Sequence, residues 1–439
     1  MKKTTVLVPV LMVALLCLGW LAFFSGITST KNAYNTAMDN AQASLDAGLY
    51  EQAIEYYKEA LTHETSEELY MTIKETYDLF YAEEHIAYVR DCYIEDMAVA
   101  AQKYPNNPVF WEKQVEMYME TSNYKKAYAT VKSARNSDVE SEMLEASYQE
   151  LLYMTKLGYK QYQNVVTNLN GYNVVFDGAV WKVLDDFGEE LIGAYPYIGM
   201  INEDGRGLYV NDLGCRMLDA NQVARAKYTE IVEEAGYYNA KTDLMPVKIN
   251  GVWKYMNFQG EYLPGEYEIA GSFYGDQAAA CKDGTWYLVN AAGEATATGF
   301  EDIKLDLYNC HIQNGIILAK ENGKYRIYDM ELQVIGDFAA DDVDICVDAE
   351  GIAFCKDGLW GFADCEGNVV YEPAFAAAKS FANGYAAVAN ADGLWGVINS
   401  RYELVMDYQY LSVSYFTASE TSWVSLFEGT VQLMEFMFE

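Results

Sequence analysis

Two different patterns of apolar positions divide the chain. Between about residues 33 and 159, apolar residues recur at helical spacing: Ala37 and Ala41 share one face, and Gly48 interrupts the pattern before the next helix. After residue 158 the sequence becomes rich in Gly, Tyr, Val and Asp, with period-two alternation and turn dipeptides that are typical of short strands. The patterns predict a helical domain at 31–160 followed by a β domain at 161–439.

A third segment precedes both domains and has the composition of a membrane span. Lys2 and Lys3 are followed by an uncharged stretch whose dense apolar part covers residues 6–24. As a helix this part is roughly 28 Å long, close to the ~30 Å hydrocarbon thickness, whereas the apolar part of a cleaved signal peptide has ~7–15 residues. We therefore expect residues 1–30 to be a retained single-pass signal-anchor in the cell membrane, with the N-terminus in the cytoplasm and the bulk of the chain outside it. The alternative is a cleaved signal peptide and a secreted protein.

The helical segment contains a repeated hairpin motif. The stretch AQASLDAGLYEQAIEYYKEA at 41–60 resembles the tetratricopeptide repeat, a helical hairpin of about 34 residues, and a second match covers 111–134. The unit between them, roughly 74–107, departs from the family pattern because Tyr88 and Tyr93 stand at positions that normally take smaller residues. We expect three repeats and a terminal capping helix at 141–157.

The β segment also repeats, in phase with its tryptophans. Asp or Asn follows four residues after each of Trp181, Trp253, Trp286, Trp360 and Trp395. Two degenerate copies are placed at Gly207 and Tyr325, and a glycine stands two residues before the key position in six of the seven copies. Each copy predicts a turn, a strand, a second turn built on the Asp or Asn side chain, and another strand.

The last two copies, KDGLWGFADCEGNVV at 356–370 and ADGLWGVIN at 391–399, resemble WG-containing repeats, which are common in bacterial proteins. Seven copies of about 35 residues favour a closed β-propeller, since radial closure protects strand edges. An open array of β-hairpins is the alternative. Because each tryptophan keeps one phase relative to its turn, we expect these side chains to pack against the neighbouring unit. The alternative is a platform on which sugars stack.

The charge of the chain excludes one class of partner. Thirty Lys and Arg residues against 65 Asp and Glu residues leave a formal net charge of −35. A surface this acidic repels phosphate backbones, so nucleic acid is not an expected partner.

The residue types that bind metals show no ligand spacing in the sequence. The three histidines lie far apart, at His63, His85 and His311. Seven cysteines follow the apolar segment, an odd number without close pairs, which argues against a zinc cluster or a disulfide framework and suggests small core residues. An acidic cluster at Asp341, Asp342, Asp344 and Asp348 lacks the glycine placement of a calcium loop, so we predict a solvated loop, with a calcium site as the alternative.

The resemblance to tetratricopeptide repeats implies a ligand groove on the concave face of the hairpins. The implied positions are Asn35, Met38, Gln42 and Leu45 in the first hairpin and Val109, Glu112, Glu116 and Met119 in the third. None of them is Lys or Arg, so the resemblance favours a neutral or basic peptide, or an intramolecular helix, over a carboxylate tail.

No catalytic motif accompanies these features, and no cofactor or metal is expected. The sequence therefore predicts a non-enzymatic protein-binding, peptide-binding or scaffold protein at the bacterial cell envelope. One alternative is a propeller-type enzyme or lectin acting on envelope polysaccharide, because carboxylate pairs on distant strands leave no local signature. Another is a structural spacer.

Overall fold

The structure, a computed structural model, describes residues 29–211, 214–218, 224–228, 232–349 and 351–438. The chain divides into two compact units, and the helical unit gives way to the β unit between Met154 and Thr155. The predicted span at 6–24 lies outside the described residues. Among the helices that are described, none combines the length and the apolar composition that crossing a bilayer requires.

The helical unit consists of antiparallel hairpins, as the apolar spacing predicts. Its described helices are α1 (29–46), α2 (Tyr50–His63), α3 (Glu67–Glu83), α4 (Ala87–Lys103), α5 (Pro108–Glu120), α6 (Tyr124–Asn136) and α7 (Glu142–Leu152). Ala37 and Ala41 are buried, and Gly48 adopts a φ of 73° in the turn after α1. The Ser141 side chain caps α7 by accepting from the backbone N–H of Leu144. The terminal helix, predicted at 141–157, ends earlier, at Leu152. The last residues of the predicted helix belong instead to the first strand, which begins at Thr155.

Of the two large side chains that depart from the repeat pattern, Tyr88 is 60% exposed and Tyr93 is part of the helical core. Tyr93 is fully buried, and its ring stacks on Tyr77 at a centroid distance of 4.7 Å. Its hydroxyl donates to Asp78 at 2.7 Å, which satisfies the polar end of the buried ring. The middle hairpin therefore replaces small-residue packing with a stacked tyrosine pair.

The described part of the β unit forms eight antiparallel sheets, which we number as blades 1 to 8. Blades 1 to 4 contain β2 (Asn164–Val166), β3 (Asn173–Phe176), β4 (Trp181–Leu184), β5 (Glu190–Tyr195); β6 (Tyr197–Ile198), β7 (Gly207–Asn211), β8 (Gly214–Leu218), β9 (Ala224–Tyr228); β10 (Glu234–Ala235), β11 (Leu244–Ile249), β12 (Val252–Asn257); and β13 (Ile269–Ala270), β14 (Gln277–Lys282), β15 (Thr285–Asn290), β16 (Ala295–Ala297). Blades 5 to 7 contain β17 (Asp302–Ile303), β18 (Ile317–Glu321), β19 (Lys324–Tyr328); β20 (Asp342–Val343), β21 (Ile352–Lys356), β22 (Leu359–Ala363), β23 (Val369–Phe375); and β24 (Ala377–Ala378), β25 (Tyr385–Ala389), β26 (Trp395–Asn399), β27 (Leu404–Tyr410).

Blade 8 is built from both ends of the β unit. It contains β28 (Ser412–Val413), β29 (Thr421–Ser425), β30 (Val431–Phe436) and, as its outer strand, β1 (Thr155–Tyr162). β1 pairs antiparallel with β30, from Thr155 opposite Phe436 to Tyr162 opposite Val431. Blade 8 also contacts blade 1, where the indole N–H of Trp423 donates to Asn173 at 3.2 Å. The β unit is a closed eight-bladed propeller, so the prediction of a propeller is confirmed and the open array is wrong.

One position in the third strand of each blade, the signature position, packs onto the following blade. Its occupants are Trp181, Cys215, Trp253, Trp286, Tyr325, Trp360, Trp395 and Val431. Each occupant belongs to a separate apolar cluster shared with the next blade, and the cluster of Val431 joins blade 8 to blade 1. Trp286 is 4% exposed, while the other four tryptophans are half-buried at the edges of their clusters. The tryptophans therefore occupy the seams between blades.

The prediction that the second copy of the repeat is centred on Gly207 is wrong by one strand. Gly207 begins β7, the second strand of blade 2, whereas the third strand of that blade holds Cys215 at the signature position. With Cys215 in place of Gly207, the intervals on either side become 34 and 38 residues instead of 26 and 46. The eighth copy lacks an aromatic residue at Val431, although Gly429 still stands two residues before it.

The turn after the third strand forms as its sequence predicts. In blade 6 the Asp364 carboxylate accepts from the backbone N–H groups of Glu366 and Asn368 at 3.0 and 2.8 Å. Gly367 follows with a φ of 87°. In blades 5 and 7, where Leu332 and Tyr402 replace this glycine, the backbone is still left-handed, with φ of 61° and 62°. The side-chain hydrogen bonds hold the turn even where the residue type resists its backbone conformation.

Candidate functional site at the channel mouth

The loop between the first two strands of blade 5 is longer than its counterparts. This segment has 13 residues, 304–316, against six to eight in the other blades. We call it the plug loop, because it contacts the first loops of blades 2, 3 and 4 and lines one cavity together with the first loops of blades 1 and 6. Its extra length accounts for the 39-residue interval that separates Trp286 from Tyr325.

The plug loop contacts several blades at once. The Tyr308 ring lies 5.2 Å from the Tyr237 ring of blade 3. The Asn309 carbonyl accepts from the backbone N–H of Ser272 in blade 4 at 2.6 Å, and its side-chain amide approaches the Met200 sulfur of blade 2 at 3.5 Å. These contacts fix the loop over one end of the channel.

A buried carboxylate organises the tip of the plug loop. One Asp306 oxygen accepts from the backbone N–H groups of Tyr308 and Cys310 at 2.8 and 2.7 Å. Burial raises the pKa of Asp306 from its ordinary value to about 6, although these two hydrogen bonds act in the opposite direction. Burial also raises the pKa of Tyr308 to about 12, so its hydroxyl keeps its proton at neutral pH.

A cavity of about 600 Å³, which we call the cup, lies beside the plug loop. It is lined by the first loops of blades 1 to 6, that is, the loops between the first two strands of each blade. Three tyrosines line it, Tyr237, Tyr274 and Tyr308, and Tyr274 is 46% exposed. The carboxylates are Glu203 and Asp306, amide side chains supply further hydrogen-bonding groups, and none of the described lining residues is Lys or Arg. The cup is therefore aromatic and acidic, a combination that suits a cationic or neutral polar group.

A second cavity of about 420 Å³ is lined in part by the Lys379 side chain. Among the ion pairs found between described residues, none involves Lys379. Lys379 lies with its ammonium 5.1 Å from the centroid of the Tyr415 ring. The Tyr415 hydroxyl donates to both carboxylate oxygens of Asp344 at 2.8 Å, and the backbone N–H of Ser380 donates to the same group at 2.7 Å. Burial lowers the pKa of Lys379, while the nearby Asp344 partly offsets this effect.

The predicted acidic cluster does not converge. Asp341 pairs with Lys324, Asp342 pairs with Lys304 at 3.0 Å, and Asp344 accepts from Tyr415 and Ser380. Asp348 accepts from the backbone N–H of Gly384 at 3.3 Å. In the parts of the chain that the structure describes, no group of three or more His, Cys, Asp or Glu side chains is arranged to hold a metal ion.

The histidines are dispersed over both units. His63 ends α2, and His85 follows α3, where it pairs with Glu120 at 2.6 Å. His311, in the plug loop, is fully buried, and neither of its ring nitrogens has a hydrogen-bond partner among the described groups. Burial lowers the pKa of His311 to about 4, so the ring is neutral at physiological pH.

The residues of the predicted peptide groove lie on α1 and α5. Asn35, Gln42 and Glu116 are exposed, and the other positions, Met38, Leu45, Val109, Glu112 and Met119, are half-buried. Three of these side chains already have partners. Gln42 donates to the Asp46 carboxylate at 2.8 Å, Glu112 accepts from the Ser141 hydroxyl at 2.5 Å, and Glu116 pairs with Lys113 at 2.7 Å. Lys113 lies between Glu112 and Glu116 on α5. A cation therefore borders the groove face, although the positions implied by the resemblance include no Lys or Arg. The groove stays a prediction.

Comparisons with known proteins identify one repeat family and several solved structures of low similarity. The sequence model of the WG containing repeat family matches residues 360–395. Similar solved structures include a eukaryotic initiation factor, with 11% identity over 61% of this chain and 82% of that chain at a TM-score of 0.40. Another is the β-propeller domain of Cps50 (Swd1) from Myceliophteria thermophila, with 10% identity over 64% of this chain and 98% of that chain at a TM-score of 0.36. The Sgt2 TPR domain from Aspergillus fumigatus has 14% identity over 26% of this chain and 74% of that chain at a TM-score of 0.20. No curated protein matches the chain.

The raised pKa of Asp306 predicts a pH dependence of stability. Between about pH 4 and about pH 6 the native state holds a proton that the unfolded state has released, so raising the pH lowers the free energy of unfolding. This contribution amounts to at most about 3 kcal/mol and is complete above about pH 6. Asp306→Asn keeps an acceptor oxygen for the turn but cannot ionise. We therefore expect the wild type to lose stability relative to this variant across that window, measured by urea unfolding at each pH.

The exposed carboxylate variant Glu428→Gln is the control and should track the wild type at every pH. His311 is present in all three proteins, so its opposite contribution cancels from the comparison. Parallel stability curves for the wild type and Asp306→Asn would show that the carboxyl is not desolvated.

Proposed function

We propose that this protein is a non-enzymatic binding or scaffold protein that recognises a basic segment of a partner protein at the cup. The observation that supports the proposal is the composition of the cup, three tyrosines and two carboxylates without a cation among the described lining residues. A Lys or Arg side chain entering it gains contact with aromatic faces and with the Glu203 carboxylate. The propeller fold is consistent with such a scaffold.

Binding fits the cup better than acid–base catalysis does. The Asp306 carboxylate is occupied by two backbone N–H groups that hold the plug loop. The half-buried Tyr308 hydroxyl retains its proton, and the neutral His311 is not among the residues that line the cup. A pair of carboxylates is therefore present, but one of them supports the loop rather than facing a substrate.

The charge of the surrounding face favours the same class of partner. The first loop of each blade and the turn after its third strand, which we call the signature turn, lie at the same end of the blade because consecutive strands are antiparallel. Across the seam between blades 8 and 1, the Ser419 hydroxyl in a first loop donates to Asp186 in a signature turn at 3.3 Å. In the described signature turns of blades 1 and 3 to 7, acidic residues far outnumber the single basic residue, Arg401. A negative face raises the encounter rate with a basic partner and lowers it with an acidic one.

A peptide selection tests the proposal on the purified full-length protein. We expect enriched peptides to carry a basic residue and to bind Tyr274→Ala at least about tenfold more weakly, the loss that about 1.4 kcal/mol produces. Since this substitution leaves the net charge unchanged, the loss reports the cup rather than the overall field. Tyr159→Ala is the matched control, because Tyr159 is 88% exposed on the outer strand β1.

Equal binding of the enriched peptides to Tyr274→Ala and to the wild type would place recognition elsewhere. Binding of neutral glycans on an array, lost in Tyr274→Ala, would favour the lectin alternative, since an exposed tyrosine beside amide side chains also suits a sugar.

We further propose that residues 1–30 anchor the protein in the membrane and that both units lie outside the cytoplasm. The apolar length of 6–24 and the flanking Lys2 and Lys3 support this location. A reporter fused after residue 30 should be active only outside the cytoplasm, and the mature protein should begin at or near Met1. A soluble form that begins near Ser29 would instead identify a cleaved signal.

A further inference from the structure

Two cysteines from different loops of the same repeat meet in blade 6. Cys346 lies in the loop between β20 and β21, and Cys365 lies in the turn between β22 and β23. Their sulfur atoms are 3.4 Å apart. The backbone N–H of Cys365 also donates to the Ala349 carbonyl at 3.0 Å, so backbone hydrogen bonding holds the two segments side by side.

The pair is connected to the plug loop. The backbone N–H of Cys346 donates to the Gln313 side-chain oxygen at 2.6 Å. The Asn314 side-chain amide donates to the Val347 carbonyl and approaches the Cys346 sulfur at 3.6 Å. Cys346 therefore lies where blade 6 supports the base of the plug loop.

We propose that Cys346 and Cys365 form an intramolecular disulfide bond that fastens the first loop of blade 6, and with it the plug loop, to the rigid turn of the same blade. A disulfide requires the sulfur atoms to approach to about 2.05 Å, little more than one ångström closer than they lie here. The bond closes a short loop within one blade, so it joins segments that already pack together.

The oxidant is a small disulfide such as oxidised glutathione. One protein thiolate attacks the oxidant and forms a mixed disulfide, releasing one glutathione thiolate that takes up a proton. The second protein thiolate then attacks the protein sulfur of the mixed disulfide and releases the second glutathione as a thiolate, which also takes up a proton. The two protein thiols lose two protons and two electrons, and one oxidised glutathione becomes two reduced molecules.

The electrostatic environment assists the reaction. The hydrogen bond from the Cys365 thiol lowers the pKa of Cys346, and the Asn314 amide adds to this effect, although burial opposes it. Cys346 is 4% exposed and Cys365 is more accessible, so the pair combines a favoured thiolate with a reachable partner. This inference does not depend on the binding function proposed above, although an extracytoplasmic location would supply oxidising conditions.

Peptide mass spectrometry tests the bond on the purified full-length protein after equilibration with oxidised and reduced glutathione and alkylation of free thiols. Trypsin leaves Cys346 and Cys355 in one peptide, 327–356, and Cys365 in the next, 357–379. The Cys355→Ser variant removes this ambiguity and serves as the matched control, because Cys355 is half-buried in the same blade. We expect one cross-link between these peptides in the wild type and in Cys355→Ser, and none in Cys346→Ser or Cys365→Ser.

Hydrogen exchange and thermal unfolding measure the effect of the disulfide bond on the structure. Oxidation should slow amide hydrogen exchange in residues 304–316 and raise the Tm by about 5 °C in the wild type and in Cys355→Ser, but not in Cys365→Ser. Two alkylated thiols in oxidising buffer, or cross-links distributed among several cysteines, would overturn the proposal. If oxidation left amide hydrogen exchange in residues 304–316 unchanged, the claim that the disulfide bond fastens the plug loop would be wrong. Neither result bears on peptide binding at the cup, so the two proposals fail separately.

Discussion

Contact between consecutive blades through the signature position is the interaction on which the propeller depends. A single blade buries little apolar surface alone, and each seam therefore contributes a shared cluster such as the one around Trp286. The seam between blades 8 and 1 completes the series, with Trp423 buried in it and β1 pairing with β30. Because both ends of the β unit meet in blade 8, the ring leaves no unpaired blade at which unfolding can begin.

A closed ring of seams frees the loops for other tasks. The first loops of most blades are short, and the additional residues of 304–316 extend across the channel. The buried Asp306 stabilises the turn at the loop tip, while its desolvation makes the same loop sensitive to pH. The cup and the cysteine pair both adjoin this loop, so one insertion organises the candidate site.

The sequence predicted the order of the domains, the hairpins and the propeller because these follow from local periodicity and from turns that recur. It assigned the second copy to Gly207 instead of Cys215, and it did not detect the copy at Val431. An alignment on tryptophans fails at these two copies because Cys or Val occupies the signature position. The lining of the cup depends on contacts between loops that are distant in sequence, and the approach of Cys346 to Cys365 depends on how two loops of one blade pack. Only the long interval before Tyr325 hinted at the plug loop.

Native-state hydrogen exchange of Trp286→Ala tests most directly whether the signature position holds neighbouring blades together. Truncating this buried side chain should cost about 3–5 kcal/mol, and the account predicts that protection falls first in blades 4 and 5, whose seam Trp286 fills. The exposed aromatic variant Phe427→Ala should leave protection unchanged. Intact protection in blades 4 and 5 of Trp286→Ala, or a loss spread evenly over all eight blades, would contradict the account.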